Sequence, residues 1–211
     1  MNRAELKAMA KAQIKGKIGI LFVITLLVGL IGGALNAIPV VGSIASLVLS
    51  PALVLSLVRV YLNIIKDIKQ PEVSDAFSGF DDFLAAFKVQ LLVAVYTFLW
   101  SLLFIIPGII KGLSYSMSMY ILAENKGMSA RECIERSKQM TEGHKMELFI
   151  LGLSFFGWAL LGALTLGILY IWLTPYMQAT YANAYNLLRG TPAQETPDAP
   201  EAAAIEAPES I

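Results

Sequence analysis

The sequence has little charge, and the charge that it has is confined to a few segments. Charged residues make up 15% of the 211 residues, compared with about 25% in an average soluble domain. Residues 18–58 and 148–188 contain no charged side chain, and residues 89–123 contain only Lys111. Runs of this length exclude an ordinary soluble domain, because about 20 apolar residues already cross the hydrocarbon core of a bilayer.

Cysteine and histidine are almost absent. The chain has one cysteine, Cys133, and one histidine, His144. A single cysteine excludes an internal disulfide, and one residue of each type excludes most metal centres and most nucleophile–base pairs. The sequence also lacks HExxH, P-loop and GxGxxG motifs. We therefore expect a protein that is not an enzyme and has no metal and no cofactor.

Each uncharged block is about twice as long as one membrane span. A helix through residues 18–58 would be about 60 Å long at about 1.5 Å per residue. Helix-breaking residues stand near the midpoint of each block, at Asn36, Pro39 and Gly42, at Pro107 and Gly108, and at Thr165 and Gly167. The sequence predicts an all-α, polytopic membrane helical bundle in which six transmembrane helices form three hairpins within residues 18–189. The spans are predicted at about 18–38, 42–65, 86–106, 108–124, 146–165 and 168–189.

The basic residues predict the orientation of these hairpins. The predicted tips at 36–42, 107–109 and 165–168 carry no charge, whereas every lysine and arginine except Lys111 lies in the segments at the opposite ends. Cytoplasmic segments carry the excess of basic residues. We therefore expect a multi-pass protein of the bacterial cytoplasmic membrane with both termini in the cytoplasm.

The two ends of the chain differ in charge. Residues 1–17 predict an interfacial amphipathic helix, because Leu6, Met9, Ala10 and Ile14 share one face and the basic residues another, namely Arg3, Lys7, Lys11 and Lys15. These cations either bind anionic lipid or serve only as a topology signal. Residues 190–211 contain five acidic residues, four prolines and no base, which predicts a disordered acidic tail.

Two further segments predict interfacial helices. Between the second and third predicted spans, the apolar residues Phe77, Phe80, Phe83, Leu84 and Phe87 fall on one stripe, and Ser78 could cap the helix. Between the fourth and fifth, Ser129 and Glu132 form a capping box and Gly143 suits the helix end. This second helix either steers topology or holds a phosphate headgroup or a partner's acidic segment through Arg136, Lys138, His144 and Lys145.

Lys111 is the one ionisable residue placed inside a predicted span, and an intramembrane charge marks a candidate site. Ser114, Tyr115 and Ser118 follow at i+3, i+4 and i+7, so a continuous helix would place all four on one polar face. Alternatively, Lys111 extends its ammonium group to the nearer interface. The sixth span also carries polar residues about once per turn, and such residues join helices more often than they line a permeation path.

The segments LWSLLFIIPGIIKGLSYSM (99–117), RSK (136–138), GHK (143–145) and PYMQAT (175–180) resemble an uncharacterised bacterial family of integral membrane proteins, the domain of unknown function nine-seven-five. The resemblance runs over about residues 1–189 and implies a fold and a location, not a reaction. The PGI element followed by the RSK and GHK elements is also distantly similar to the membrane domain of glycerophosphodiester phosphodiesterases. No hydrolase activity carries over from that similarity.

The function that we expect is non-enzymatic. The first hypothesis is a role in envelope or lipid homeostasis, through anionic-lipid or partner binding at the cytoplasmic face. The expected partners are membrane lipids, with a second copy of the chain or another membrane protein as alternatives, and no nucleic acid. The alternative function is a small transporter or channel that uses the polar faces of spans four and six, without a carboxylate relay because no acid lies inside a span.

The predicted topology can be tested by cysteine accessibility in a Cys133→Ser background. Val40→Cys and Leu166→Cys should react from outside the cell because they lie at predicted tips. Gln70→Cys, Ala130→Cys and Glu195→Cys should react only after permeabilisation. Labelling of Ala130→Cys from outside would overturn the six-span topology.

Overall fold

The computed structural model describes residues 3–36, 41–103, 105–165 and 169–190. These residues form helices and no strand, which confirms the predicted all-α class. The elements are α1 (Arg3–Ile14), α2 (Ile18–Asn36), α3 (Val41–Ile65), a 3₁₀ segment (Val73–Asp82), α4 (Phe83–Leu103), α5 (Ile105–Tyr115), α6 (Ser118–Glu124), α7 (Ala130–Thr141), α8 (Lys145–Leu164) and α9 (Tyr170–Leu188). The acidic tail predicted for residues 190–211 lies outside the described residues from 191 onward.

Three helical stretches are long and apolar enough to cross a membrane: Ile44–Ile65, Val73–Leu102 and Lys145–Gly162. A fourth is added if Arg3–Ile14 and Ile18–Ile31, which meet at 95°, count as one broken span. The predicted boundaries of spans two and five lie close to α3 and α8. The structure therefore supports a helical protein with three or up to four such stretches, and the number six stays a prediction.

The predicted fourth span, 108–124, is not one continuous helix. Its residues belong to α5 and α6, which are separated at Ser116 and Met117. The predicted hairpin tip at 107–109 is displaced by a few residues, because α4 ends at Leu103 and Pro107 and Gly108 lie in the first turn of α5. Proline is tolerated there since the first helical N–H groups have no partner within the helix. A Cβ at Gly108 would overlap the backbone of Ser101, so glycine lets α5 pack closely on α4.

The break between α5 and α6 is held by side chains of α7. Ser137 Oγ donates to the carbonyl oxygen of Ser114 at 2.7 Å and accepts from the backbone N–H of Met117 at 3.2 Å. Thr141 Oγ1 lies 3.4 Å from the same carbonyl oxygen. All of these contacts are buried. Backbone groups freed by a helix break must find partners when they are buried, and α7 supplies them.

Helix α1 was predicted to lie on the membrane surface, but its apolar face is buried within the protein instead. Its apolar residues Leu6, Ala10 and Ile14 are fully buried in the core of the protein, and the helix packs against α9 and α3. Gln13 Oε1 accepts a 2.6 Å hydrogen bond from Asn183 of α9. The chain turns from α1 into α2 at Gly16, whose φ of 79° favours glycine. Since α9 covers the apolar face, only the remaining faces of α1 can meet lipid.

The helix that we predicted around Ser78 begins instead as a 3₁₀ segment that lies along α3. Ser78 Oγ donates to the carbonyl oxygen of Asp75 and caps no α-helix. The backbone N–H of Gly79 donates to Ser56 Oγ at 2.8 Å, and a Cβ at Gly79 would overlap the α3 backbone. This close approach explains why tertiary packing overrides the helical pattern of the phenylalanines here. The predicted aromatic stripe is partly retained, because Phe77 and Phe80 are exposed.

The buried core and the exposed apolar residues occupy different parts of the helices. The core takes much of its volume from the C-terminal halves of α3 and α9, together with α6 and α7. Near the predicted hairpin tips, large apolar side chains are exposed, including Leu30, Leu47, Leu102 and Leu164. Exposed apolar side chains of this size suit contact with lipid or with another protein.

The role of Ser137 can be tested by comparing two serine substitutions at the same break. Ser137→Ala leaves the carbonyl of Ser114 and the N–H of Met117 without this partner, so we expect a loss of about 1–3 kcal/mol in the free energy of unfolding. Ser116→Ala removes an exposed hydroxyl that bonds only to the carbonyl oxygen of Leu113, and should change stability little. Thermal unfolding of the purified full chain in detergent measures both. Equal melting temperatures for the two variants would contradict this assignment.

Candidate functional site

Helices α1, α8 and α9, with the start of α2, enclose an apolar groove of about 360 Å³. We call it the α1–α9 groove, and its lining residues are Lys11, Ile14, Ile18, Trp158, Leu169, Trp172, Leu173 and Tyr176. Lys11 is the one charged residue among them, and it is exposed. An apolar groove with a cation at its edge matches the two chemical parts of an anionic amphiphile.

Two tryptophans form much of the outer wall of this groove. Trp158 and Trp172 are 52% and 53% exposed, so each indole lies partly in the groove wall and partly at the protein surface. Tyr176 packs edge-on against Phe155 with 5.6 Å between ring centroids, which holds the inner wall. Tryptophan and tyrosine are enriched where a protein meets the polar–apolar boundary of a membrane.

The four predicted cations of α1 have different surroundings. Arg3, Lys11 and Lys15 are exposed, and within the residues that the structure describes they form no ion pair. Lys7 Nζ lies 4.3 Å from the centroid of the Phe155 ring. Burial, followed by the nearby charge of Arg3, lowers the pKa of Lys7. Of the four, the structure places only Lys11 in the groove.

The predicted cations of α7 and its following turn are paired locally. Arg136 contacts Glu132 at 3.0 Å, Lys138 contacts Glu135 at 2.8 Å, and His144 Nδ1 lies 2.9 Å from Glu147. The hydrogen bond that Lys138 donates to Glu135 raises the pKa of Lys138. Lys145 is the first residue of α8 and is half-buried. Acids one turn away already compensate Arg136 and Lys138, and a headgroup role for these residues stays a prediction.

The predicted capping box at the start of α7 is present in part. Ser129 Oγ accepts from the backbone N–H of Glu132 at 3.2 Å, and Gly143, which we expected at the helix end, follows α7 with a positive φ. Cys133 on the buried face has a pKa that burial raises to about 11, so its thiol is protonated at neutral pH. Among the described residues, no group of three or more histidine, cysteine or acidic side chains is placed to hold a metal ion.

The predicted polar face around Lys111 is interrupted. Ser118 falls in α6, beyond the break, so it does not share one helical face with Lys111, Ser114 and Tyr115. Ser114 Oγ donates to the carbonyl oxygen of Ile110 at 2.9 Å, and the Tyr115 ring packs near Tyr96. Lys111 Nζ lies 4.7 Å from the centroid of the Trp100 ring. Ser114 thus bonds within its own helix, whereas the buried hydroxyl of Ser118 has no hydrogen-bond partner among the described residues.

A polar cluster that the sequence did not indicate lies where α3, α6 and α9 end. Glu124, the last residue of α6, accepts from Lys66 at Oε1 and from Arg189 at Oε2. The hydroxyl of Tyr185 also donates to Oε2, at 2.8 Å. The Glu124 side chain is only 13% exposed. In the sequence, each of these residues stands near the end of a predicted span, on the side predicted to be cytoplasmic. Their contact with one another, however, depends on how three helices pack together.

A polar pocket of about 330 Å³ adjoins this cluster. Its lining residues are Arg59, Leu62, Asn63, Lys66, Ile68, Ala123, Glu124, Asn125 and Arg189. Arg59 comes from α3, forms an ion pair with Asp82 and donates to the carbonyl oxygen of Ser78. It therefore ties the 3₁₀ segment to α3 and also forms part of the pocket wall.

Comparison with known proteins gives one family. The sequence model of the family described as Protein of unknown function (DUF975) matches residues 1–112 and 102–191. No curated protein and no solved structure matches the chain.

The Glu124 cluster predicts a specific loss of stability. Glu124→Gln removes the carboxylate that Lys66 and Arg189 share, so each of the two cations loses this ion pair. The loss in the free energy of unfolding should exceed the value for an exposed ion pair, about 1 kcal/mol, and stay below that for a buried pair, about 3–5 kcal/mol. The value is intermediate because the cluster is partly exposed. Glu142→Gln, at an exposed glutamate after α7, is the matched control. If thermal unfolding gives both variants the same melting temperature, Glu124 does not join the three helix ends.

Proposed function

The chain belongs to the DUF975 family of proteins of unknown function, and we propose that it is a non-enzymatic protein of the bacterial cytoplasmic membrane that binds anionic phospholipid. The site that we propose is the α1–α9 groove, with an acyl chain between the two tryptophans and the phosphate group near Lys11. The observation that carries the proposal is the position of Lys11 at an otherwise apolar groove.

The charge of the N-terminal segment supports an anionic headgroup over a neutral one. Residues 1–17 contain five basic residues and one acidic residue, Glu5. Each basic residue close to an anionic leaflet contributes about 1 kcal/mol. Because α9 covers the apolar face of α1, α1 holds these cations in fixed positions rather than binding lipid as an independent amphipathic helix.

The membrane arrangement that we propose has six crossings and both termini in the cytoplasm. The long apolar stretches and the exposed leucines near the predicted tips support a membrane location. The fourth crossing would be the broken pair α5–α6. A break is tolerated within a membrane where the protein buries it, and α7 buries this one. The similarity to the membrane domain of glycerophosphodiester phosphodiesterases stays a prediction.

We prefer lipid binding to the alternative of a small transporter. A transporter would use the polar faces of spans four and six. The carbonyl oxygen of Ser114 accepts from Ser137, and Asn183 of α9 donates to Gln13. These polar groups join elements of the protein to one another, which is their commoner role in helical membrane proteins. A role in envelope or lipid homeostasis follows if the bound lipid regulates this protein or signals the state of the membrane to it.

The three tryptophans of the chain provide the test of lipid binding. Trp158 and Trp172 line the groove, whereas Trp100 lies on α4 beside Lys111. The full-length Trp100→Phe variant, reconstituted in vesicles, should be quenched more strongly by phosphatidylglycerol with brominated acyl chains than by brominated phosphatidylcholine. A variant that combines Trp158→Phe with Trp172→Phe should show no such headgroup preference.

Lys11→Gln in the Trp100→Phe background should reduce the preference for the anionic lipid about fivefold, which corresponds to about 1 kcal/mol. Lys15→Gln is the matched control, because Lys15 is an exposed lysine one turn further along that does not line the groove. Equal quenching by both lipids in the Trp100→Phe protein would refute the proposal. An equal effect of the two lysine substitutions would show that α1 attracts lipid only by its general charge.

A further inference from the structure

A second groove lies where the first part of α4 meets the start of α7, and two cations stand in its wall. We call it the α4–α7 groove. Its volume is about 390 Å³, and its lining residues are Lys88, Leu91, Leu92, Ser129, Ala130 and Arg131. No acidic side chain is among these described lining residues. We propose that the groove binds a phospholipid whose headgroup is a bare phosphate monoester, as in phosphatidic acid, with the phosphate between Lys88 and Arg131.

The two cations of this groove are available to a ligand. Lys88 and Arg131 are both exposed, and within the part of the chain that the structure describes neither forms an ion pair. The acid next to Arg131 in the sequence, Glu132, pairs with Arg136 instead. The start of α7 does not offset these cations, because the N-terminus of a helix carries partial positive charge.

The position of Lys88 on α4 favours a lipid over a soluble anion. Residues three and four apart share one face of a helix. The exposed face of α4 follows this spacing through Leu84, Lys88, Leu91, Val95, Phe98 and Leu102. The five apolar side chains of this set are 43–72% exposed, and α4 belongs to a stretch that is long and apolar enough to cross a membrane. Lys88 therefore stands in line with the surface of α4 that suits acyl chains.

The length of this apolar face matches one leaflet of a bilayer. A helix from Leu91 to Leu102 is about 16 Å long at about 1.5 Å per residue. The hydrocarbon core of a bilayer is about 30 Å thick, so one leaflet has nearly the same depth as this face. An acyl chain below a phosphate group at Lys88 would thus contact apolar side chains of α4 throughout its own leaflet.

The other lining residues favour a bare phosphate over a larger headgroup. Arginine and lysine are the usual partners of phosphate oxygens. Ser129 is the one neutral polar side chain among the described lining residues, and its Oγ accepts from the backbone N–H of Glu132 as a helix cap. Little remains for the hydroxyl or amine groups of a larger headgroup. A phosphate monoester carries a charge of about −1.5 to −2 near neutral pH, which two cations balance better than the lower charge of a phosphodiester.

The test places a fluorescent reporter in the groove of the full chain. The three native tryptophans are replaced by Trp100→Phe, Trp158→Phe and Trp172→Phe, and Leu91→Trp, at a half-exposed position of the lining, becomes the single tryptophan. The protein is reconstituted in phosphatidylcholine vesicles. Phosphatidic acid with brominated acyl chains should quench this reporter more strongly than brominated phosphatidylglycerol or phosphatidylcholine at the same mole fraction.

Three charge substitutions in this reporter protein test the two cations. Lys88→Gln and Arg131→Gln should each reduce the preference for phosphatidic acid about fivefold, which corresponds to about 1 kcal/mol. Lys126→Gln is the matched control, because Lys126 is an exposed lysine between α6 and α7 that does not line the groove. It should retain the preference of the unsubstituted reporter protein.

Three results would overturn the proposal. Equal quenching of the reporter by the three brominated lipids would show no headgroup selection. Equal effects of Lys88→Gln and Lys126→Gln would show that the basic surface attracts lipid only by its general charge. A reporter that none of the three lipids quenches would show that protein, such as a second copy of the chain, covers this face of α4.

A second measurement leaves Leu91 unchanged. In thermal unfolding, the wild type should melt at a higher temperature in phosphatidylcholine nanodiscs that contain phosphatidic acid than in those that contain phosphatidylglycerol, because a ligand of the folded state stabilises it. Lys88→Gln should reduce this difference and Lys126→Gln should preserve it. Equal melting temperatures of the wild type in the two kinds of nanodisc would contradict the proposal.

This inference does not depend on the α1–α9 groove, because the two grooves share no lining residue. Lys11→Gln should leave the quenching of the Leu91→Trp reporter by phosphatidic acid unchanged. Lys88→Gln should leave the lipid preference of Trp158 and Trp172 unchanged. Failure of one proposal is thus distinguishable from failure of the other.

Discussion

The buried break between α5 and α6 is the constraint on which the arrangement of the other elements depends. Backbone groups that leave a helix need new partners in a buried environment, and Ser137 supplies one donor and one acceptor. Helix α7 is therefore part of the bundle rather than a surface helix. The break sets the direction of α6, and α6 in turn places Glu124 between Lys66, which follows α3, and Arg189, which follows α9.

The two candidate sites follow from two different ways of placing cations. Helix α1 is held against α9 by its buried apolar face and by Gln13, so Lys11 stands at a groove whose other walls are apolar. At the second site, Lys66 and Arg189 stand at the C-terminal ends of α3 and α9, where the partial negative charge of a helix terminus favours cations. There they share one carboxylate, and a polar pocket remains beside them. The first arrangement suits an amphiphile, and the second joins three helix ends through Glu124.

The parts of the fold that the sequence predicted well are those with a local signal. The uncharged runs predicted α3 and α8 to within a few residues, and Ser129 with Gly143 predicted the ends of α7. The assignment of Lys11 to lipid binding came from its place on a basic face and stays a prediction. The polar stripe from Lys111 to Ser118 was wrong because it assumed an unbroken helix. The break carries no strong local signal, since the residues that make it tolerable lie on α7.

By itself, the sequence determined the helical class, the long apolar runs, the basic N-terminal segment and the absence of common catalytic motifs, because each of these depends on composition or on spacing along one helix. Only the tertiary structure decided that the apolar face of α1 is covered by α9, that Ser137 holds a helix break, and that Glu124 meets Lys66 and Arg189. These contacts join residues as far as 170 positions apart, in the case of Gln13 and Asn183. No periodicity within a helix encodes such a pairing, which depends on how the helices pack together.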